Sequence, residues 1–340
     1  MRLHSCLKLT SFIVGAAAWG GVATAQDLEQ VTVVVPNPSA ILYMPIAVAM
    51  GEGYFEAEGL DVEVEAVNGS GAVLQALVSG QGDIGNPGAG PFLQARNRDV
   101  PVKFIYRLNP NSSYGIVVPE DSDYQSPEDL RGLTIGVGTA DGAEAAFART
   151  IFSEAGMQGG EDYEILVVGD GGQATAGFLR EDIDAYVAAT NDAAILNGRG
   201  MPVRNITPAE FRVYFGNGLA AMESWLEENE ETVLAFGRAL VRGAEFAAQP
   251  DNIEAVIDHA AAQNPQEGED RDFARNLVEQ IIIRQTPFEP ERGWGYQDLD
   301  AWQAWQDSLV SSGELDEPIE DLEAVYTNEY IDPWNEAVQK

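Results

Sequence analysis

Several loops that follow predicted strands carry small and polar residues of the kinds that bind solutes. In each of these loops a helix begins at once, so backbone N–H groups and the positive end of the helix dipole would face a ligand. Such groups can hold an oxygen atom of a sulfonate, carboxylate or nitrate without a basic side chain. The same residue types also make ordinary turns and helix caps, but their recurrence at several strand ends favours binding. The candidate residues in these loops are Asn37, Ser39, Leu42, Tyr43, Ser70, Gly71, Asn86, Pro87, Gly88, Thr139, Ala140, Asp141, Thr190, Asn191 and Asp192.

Three charged or polar candidates have alternative interpretations. Asp192 stands at the start of a predicted helix, where it is either a cap or a partner for a ligand amine, and the cap is favoured. Arg107 and Asn109 follow another predicted strand and complete the set of candidate ligand-binding residues. The guanidinium of Arg107 can bind an anion bidentately, or it can simply neutralise part of an acidic surface.

Catalytic and metal-binding residues are scarce. The only cysteine is Cys6, and the two histidines are His4 and His259. One histidine beyond the N-terminal segment cannot form a histidine-based metal cluster and leaves little room for a Ser-His-Asp arrangement. Gly136-Val137-Gly138 is a weak dinucleotide signal, since no third glycine follows in register. We therefore expect no catalytic residue, no metal and no cofactor.

The first 25 residues have the pattern of a cleavable signal peptide. A short apolar stretch at 10–19 follows two basic residues, and the small residues at 23–25 predict a mature chain that begins at Gln26. A disordered or anchored N-terminus is the alternative. No later segment reaches the roughly 18 consecutive apolar residues of a membrane-spanning helix. The protein is expected to be exported and soluble.

The charge balance excludes some classes of partner. The chain has 19 Lys and Arg against 55 Asp and Glu, a formal net charge of −36. Nucleic acids and anionic membranes are bound through basic patches, so neither is an expected partner. Self-repulsion of this size is tolerated best where salt screens it, which favours a saline habitat over an ordinary one.

The apolar pattern predicts an α/β fold. Short β-branched runs alternate with helical segments between residues 30 and 206, which indicates mostly parallel sheets covered by helices on both faces. We find no internal repeat in the sequence. The remainder is helical and begins with a capping box at Ser224, from which one helix is expected to run to about Gln249. The spacing of Trp294, Trp302 and Trp305 favours helix packing over a ligand box.

Several motifs resemble those of one family. Gly-Tyr-Phe and Gly-Leu-Asp-Val at 53–62, Ser-Gly-Gln-Gly-Asp-Ile-Gly at 79–85 and the segment at 126–137 are similar to motifs of periplasmic solute-binding proteins of ABC importers. Trp-Leu-Glu-Glu-Asn at 225–229 and the Trp-rich stretch at 293–334 extend the resemblance to the C-terminal helices. The branch is the one that includes nitrate, sulfonate, taurine and thiamine-pyrimidine-precursor binders.

The resemblance implies a two-lobed type II periplasmic-binding-protein fold. Each lobe would be a mostly parallel sheet flanked by helices, and two hinge strands near 107–115 and 213–219 would join them. The expected division is a signal peptide at 1–25, a first lobe from 26–113 and 217–340, and a second lobe from 114–216. In such a fold Tyr54 and Phe55 would pack the first lobe and not contact the ligand.

The resemblance also implies a function. The protein would be a periplasmic monomer that captures a small organic solute between the lobes and delivers it to an ABC permease of the inner membrane. The solute would be a sulfonate, a carboxylate or a pyrimidine-like heteroaromatic. An enzyme that makes a pyrimidine precursor, a hydrolase on the same frame and a ligand-presenting sensor are the alternatives. The cysteine-rich motif of the family's biosynthetic relatives is absent, which favours binding over catalysis.

Overall fold

The structure is a computed structural model, and it describes residues 28–110, 114–169, 172–208, 211, 214–287, 289–336 and 338. The expected signal peptide lies outside the described residues. In the described part of the chain, no helix combines the length and the apolar character needed to cross a membrane.

Strands and helices alternate through the first two thirds of the chain, and helices dominate the rest. The strands are β1 (Glu29–Val35), β2 (Leu60–Ala66), β3 (Ile84–Gly85), β4 (Val102–Tyr106), β5 (Tyr114–Pro119), β6 (Thr134–Val137), β7 (Glu164–Val167), β8 (Ala185–Ala189), β9 (Val203–Asn205) and β10 (Leu219–Met222). The helices are α1 (Met44–Gly51), α2 (Tyr54–Ala57), α3 (Gly69–Ser79), α4 (Ala89–Arg96), α5 (Ala143–Glu154), α6 (Gly172–Leu179), α7 (Thr190–Gly198), α8 (Glu223–Glu228), α9 (Glu230–Ala247), α10 (Ile253–Gln263), α11 (Arg271–Gln285), α12 (Leu299–Ser311) and α13 (Ile331–Asn335).

The strands form two mixed sheets, one in each lobe. The first lobe has the strand order β2-β1-β3-β10-β4, and the second has β7-β6-β8-β5-β9. Among the described strands, β10 in the first sheet and β5 in the second are the ones that run opposite to the other strands of their sheets. Each of these reversed strands is the one that the chain forms directly after it crosses from the other lobe. The expected two-lobed α/β fold is therefore confirmed, while the boundaries at 113/114 and 216/217 stay a prediction.

The two crossing segments are bonded to each other. The N–H of Asn109 donates to the carbonyl of Asn217 at 3.0 Å, and the N–H of Gly216 donates to the carbonyl of Asn109 at 2.9 Å. Two antiparallel chain segments between the lobes form the hinge layout that the family resemblance implied.

The strand sequences fit a sheet that is covered on both faces. In β1, Val33, Val34 and Val35 are fully buried, because parallel strands between helix layers have no solvent-facing side. The two lobes also share a local device. The carboxylate of Asp83 accepts the N–H of Thr32 at 2.8 Å, and in the second lobe Asp184 accepts the N–H of Thr134 at 2.9 Å. The sequence shows no repeat, yet the structure repeats this tie between neighbouring parallel strands.

One apolar cluster continues from the first lobe into the second. It contains Phe92 and Trp302 on one side and Ile135 and Phe147 on the other. Helices α4 and α12 pack on α5 of the second lobe. The indole of Trp302 is fully buried and packs on Phe92 with ring centroids 5.5 Å apart, so the expected helix-packing role of this tryptophan is confirmed.

Glycines allow α4 and α5 to lie unusually close. An added Cβ at Gly88 would meet the methyl of Ala143 well inside 3.0 Å, a distance that real Cβ atoms essentially never show. A Cβ at Gly90 would lie 3.0 Å from the methyl of Ala146. These two positions allow helices of the two lobes to pack directly against each other.

Two details differ from the sequence-based predictions. The helix expected from Ser224 to about Gln249 is two helices, α8 and α9, because Asn229 leaves the helical conformation with φ −128°. The residue that caps α8 is Met222, so Ser224 lies inside the helix. The Phe55 ring is buried and stacks on Phe236 at 5.0 Å, which confirms its structural role.

Candidate ligand-binding cleft between the lobes

A cleft lies between the lobes, at the ends of the strands where the helices begin. Its volume is about 820 Å³, part of it open to solvent. The residues that line it are Pro36, Asn37, Leu42, Tyr43, Gly69, Ser70, Asn86, Asn109, Tyr114, Thr139, Glu144, Tyr186, Val187, Ala189, Asp192, Asn217, Ile281 and Arg284. Both lobes and both crossing segments contribute, which is the position expected for a ligand in an open α/β sheet.

The cleft brings together about half of the candidate residues. Those that line it are Asn37, Leu42, Tyr43, Ser70, Asn86, Asn109, Thr139 and Asp192. They come from loops that are far apart in the sequence, and the parallel strands place these loops at one edge. Their contact with a ligand stays a prediction.

Several other candidates lie beside the cleft and not on its surface. Ser39 bonds to the carboxyl of Glu267, whose pKa is raised by burial and lowered in part by this bond. Gly71 lies against the side chain of Asp141 from the opposite lobe. Pro87, Gly88 and Ala140 are also not among the residues that line the cleft. Helix α7 begins at Thr190 and continues through Asn191, but the structure does not describe the side chains of these two candidates.

Arg107 has a structural partner set. Its guanidinium donates to Asp298 at 2.7 Å and to the carbonyl of Pro110 at 2.8 Å, and it lies 4.9 Å from the ring centre of Phe215. Burial lowers the pKa of this guanidinium, and Asp298 opposes that shift. Arg107 thus joins the first crossing segment to the second and to the start of α12. Asn109, two residues later, lines the cleft.

A hydrogen-bonded group links the lobes at the centre of the cleft. The hydroxyl of Tyr114, from the second lobe, donates to the Asn217 side chain at 2.7 Å. The amide of Asn217 in turn donates to the carbonyl of Asn86 in the first lobe at 3.1 Å. A separate bond lies within the first lobe, where the hydroxyl of Ser70 accepts the N–H of Gly88 at 3.1 Å. These bonds connect loops of both lobes along the lining of the cleft.

Two carboxylates of the chain occupy helix starts that face the cleft. Glu144 accepts the N–H of Thr139 at 2.7 Å and its hydroxyl at 2.8 Å. Asp192 accepts the N–H of Ala189 at 3.1 Å and the hydroxyl of Tyr186 at 3.4 Å. Asp192 is therefore not the N-cap itself, which is Ala189, but the third residue of α7, and its carboxylate accepts the N–H of that N-cap. The N–H of Thr139, which was expected to face an anionic ligand, donates instead to Glu144.

Arg284 brings a positive charge to the described lining of the cleft, and the sequence did not predict this role. Arg284 stands in the last turn of α11, a helix that packs on α10 and on α7 of the second lobe. Burial lowers the pKa of its guanidinium to about 10, and the phenol of Tyr114 raises it in part. Burial and the charge of Glu267 raise the pKa of the nearby Tyr43 to about 12, so this phenol is neutral at ordinary pH.

Sequence reasoning missed further lining residues for an identifiable reason. Arg284 follows three isoleucines in a predicted C-terminal helix, a pattern that indicates only packing. Glu144 is an acid in the first turn of a helix, which is common on any helix. Tyr114 and Asn217 belong to predicted extended segments. Their proximity to one site follows from the lobe arrangement, which no local pattern contains.

The described residues include no group of three or more His, Cys, Asp and Glu side chains that could hold a metal ion. His259 lies outside the cleft, and its Nε2 is 2.8 Å from a carboxylate oxygen of Glu52.

The sequence profile of the family described as "NMT1/THI5 like" matches residues 41–253. The chain belongs to the NMT1/THI5-like family. The riboflavin-binding protein RibY of Chloroflexus aurantiacus is 28% identical to this chain over 315 residues, which cover 89% of this chain and 86% of that protein. The formylaminopyrimidine-binding protein of Halalkalibacterium halodurans is 26% identical and covers 87% of this chain and 90% of its own length.

Enzymes and binding proteins both occur among the similar proteins. A 4-amino-5-hydroxymethyl-2-methylpyrimidine phosphate synthase of Aspergillus parasiticus is 27% identical over 61% of this chain and 64% of that enzyme. Among solved structures, the alkanesulfonate-binding protein SsuA of Xanthomonas axonopodis pv. citri superposes with a TM-score of 0.69 at 17% identity, over 89% of this chain and all of that one. The resemblance seen in the sequence motifs is confirmed for family and fold.

Proposed function

We propose that this protein is an extracytoplasmic substrate-binding protein that captures a small nitrogen heteroaromatic solute and delivers it to an ABC permease. The observation that carries the proposal is the chemistry of the cleft between the lobes. Amide side chains and phenol rings dominate its polar surface, namely Asn37, Asn86, Asn109, Asn217, Tyr43, Tyr114 and Tyr186. Relatives named for binding riboflavin and formylaminopyrimidine support the same class.

Each kind of side chain suits a part of such a solute. An Asn amide offers both donors and acceptors, which match the alternating ring nitrogens and exocyclic groups of a heteroaromatic edge. Tyrosine rings offer a face for stacking and a hydroxyl for bonding. Arg284 can donate to a ring nitrogen or a carbonyl oxygen, since it carries donors and no acceptor.

The carboxylates favour this class over the sulfonate and carboxylate alternatives. Glu144 and Asp192 line the cleft beside Arg284, and the chain as a whole carries a formal charge of −36. An anionic solute would meet like charge at both helix starts, whereas an exocyclic amine would find an acceptor. A neutral heteroaromatic ring therefore suits the described lining better than a nitrate or a sulfonate does.

Capture without chemistry fits the residues of the cleft. The described lining contains neither cysteine nor histidine, and the described part of the chain has no cluster of metal ligands. Two lobes joined by paired crossing segments can close around a solute as a hinge. We propose that a permease recognises the closed form of a monomeric, periplasmic protein.

The proposal is tested with a panel of purified ligands. Isothermal titration calorimetry would compare aminopyrimidines, formylaminopyrimidine, riboflavin and nicotinamide with ethanesulfonate, nitrate and benzoate. We expect at least one heteroaromatic ligand to bind at least tenfold more tightly than every anion in the panel. Tight binding of sulfonate or nitrate alone would contradict the proposed ligand class.

A matched pair of variants ties the binding to the cleft. Tyr114→Phe removes only a hydroxyl from the cleft, and Tyr163→Phe removes one from a buried tyrosine elsewhere in the second lobe. The first change should weaken binding of the best ligand by several-fold, as expected for the loss of a hydrogen bond. The second should leave the affinity unchanged.

The second candidate function is synthesis of a pyrimidine precursor, which the similarity to a pyrimidine phosphate synthase favours. A synthase would consume or transform the molecules that it binds. Mass spectrometry of the best ligand after prolonged incubation with the protein separates the two functions. Quantitative recovery of the unchanged ligand supports binding, and any turnover product supports the enzyme.

A further inference from the structure

Glu144 occupies an unusual position in the cleft. It belongs to the first turn of α5, a helix of 12 residues that follows the loop after β6. Its carboxylate turns back and accepts both donors of Thr139, the backbone N–H at 2.7 Å and the hydroxyl at 2.8 Å. Thr139 itself is buried and lines the cleft. These two groups of Thr139 could donate to a bound oxyanion at this helix start, but both already donate to Glu144.

Gly142 leaves the space that the carboxylate of Glu144 occupies. A Cβ added at Gly142 would meet both carboxylate oxygens of Glu144 and the hydroxyl of Thr139, all well inside 3.0 Å. Gly142 has φ −76°, a value that any residue adopts, so its backbone conformation does not require glycine. The requirement is one of space, because only glycine leaves room for the carboxylate to lie against the turn.

Asp192 repeats the arrangement at a second helix start of the same lobe. Its carboxylate accepts the N–H of Ala189 at the start of α7, and both residues line the cleft. Two internal anions therefore lie where two helix dipoles favour negative charge. A solute with its own negative group would have to displace one of them or approach both.

We infer that Glu144 is a specificity-determining residue, an internal anion that fills the place of an anionic solute and so excludes sulfonates and carboxylates from the cleft. This inference rests on the proposed function, since it concerns the same cleft. It goes beyond it by assigning the exclusion of anions to one side chain. A merely structural cap would instead contribute to stability and affect all ligands alike.

The variant Glu144→Gln separates these roles. The amide oxygen of glutamine can still accept from Thr139, so the cap is kept while the charge is removed. The probes are the matched pair nicotinamide and nicotinate, which differ in charge at one group, together with ethanesulfonate. Calorimetric dissociation constants are measured for each probe at low and at high salt.

The matched control is Asp129→Asn. Asp129 also closes a capping box, with its carboxylate accepting the N–H of Ser126 at 3.0 Å, but it lies outside the cleft. A third variant, Gly142→Ala, removes the space for the Glu144 carboxylate without removing the residue. It should shift selectivity in the same direction as Glu144→Gln.

Glu144→Gln should bind nicotinate and ethanesulfonate about tenfold or more tightly than the wild type, because it removes a like charge at close range. Its affinity for nicotinamide should change by less than about threefold, and Asp129→Asn should match the wild type for all three probes. An unchanged ratio of nicotinate to nicotinamide affinity in Glu144→Gln would overturn the inference, as would equal weakening of every probe.

The two proposals fail in different ways. A wild-type protein that binds no heteroaromatic probe contradicts the proposed function, and the ethanesulfonate titration still decides the inference. A gain of ethanesulfonate binding in Glu144→Gln supports it, and equal binding or equal silence in both proteins refutes it.

Discussion

Gly88→Ala should act as a wedge between the lobes. Gly88 precedes α4 in the first lobe, and a Cβ there would overlap the methyl of Ala143 in the second lobe. The backbone of Gly88, at φ −77°, accepts alanine without strain. The methyl of Ala143 cannot rotate away, so α4 and α5 must separate until the two methyls reach the 3.4 Å at which ordinary contact begins. The two lobes carry these helices, and the wedge therefore opposes closure.

The size of the effect follows from the cost of overpacking. An extra methyl in a packed interface costs about 1–3 kcal/mol. If the closed form bears that cost, the affinity for a ligand that requires closure falls by about five- to 150-fold. Gly90→Ala is the graded comparison, because its added Cβ would lie 3.0 Å from the methyl of Ala146 and needs only a small shift. Its effect should be smaller than that of Gly88→Ala.

The assay combines ligand affinity with shape. Calorimetry gives the dissociation constant of the best heteroaromatic ligand, and small-angle X-ray scattering gives the radius of gyration with and without it. The double variant Gly88→Ala/Ala143→Gly removes the opposing methyl and should recover most of the lost affinity. A Gly88→Ala protein that binds and compacts like the wild type, or a double variant with no recovery, would refute the idea that this contact controls closure.

Three further predictions concern charged and phenolic groups. Arg284→Gln should weaken ligand binding by about tenfold or more, the cost of losing a hydrogen bond from a charged donor, with unchanged circular dichroism. Arg107→Met should lower the free energy of unfolding by about 1–3 kcal/mol in urea titrations, because the Pro110 carbonyl loses a donor and Asp298 its partner, while ligand affinity stays within threefold. Tyr43 and Tyr330 have pKa values raised to about 12. The unfolded chain releases these protons near pH 10. The urea concentration at the midpoint of unfolding should therefore decrease as the pH rises from 10 to 12, and this decrease should be smaller in Tyr330→Phe.

The sequence predicts those site residues that belong to strand-end loops. Ser70, Asn86 and Thr139 line the cleft because alternating strands and helices place the carboxyl ends of parallel strands at one edge. That rule needs only the order of the elements, which the apolar pattern contains. Arg107 shows where it stops. Two residues apart on a regular strand, Arg107 and Asn109 would share a face, but the crossing segment pairs with Gly295 and Asn217 and turns the two side chains apart.

The remaining site residues depend on packing between distant segments. Arg284 reaches the cleft only because α11 lies on α10 and touches α7. Asn217 reaches it because the second crossing segment pairs with the first. Neither helix packing nor segment pairing leaves a local pattern in the sequence, so an arginine in an apolar helix and an asparagine between glycines give no indication of their roles.

At three helix starts around the cleft, a carboxylate of the chain itself lies close to the helix N-terminus. A helix N-terminus favours negative charge, which either a ligand or the chain can supply. At α5 and α7 the chain supplies it through Glu144 and Asp192. At α3 the carboxylate of Asp141 lies against Gly71, although it belongs to the opposite lobe. An acidic side chain of the second lobe thus lies at the start of α3 in the first lobe, where negative charge is favoured. We expect a solute to favour closure through groups that contact both lobes at once, and Tyr114, Asn217 and Asn86 line the described cleft from both lobes.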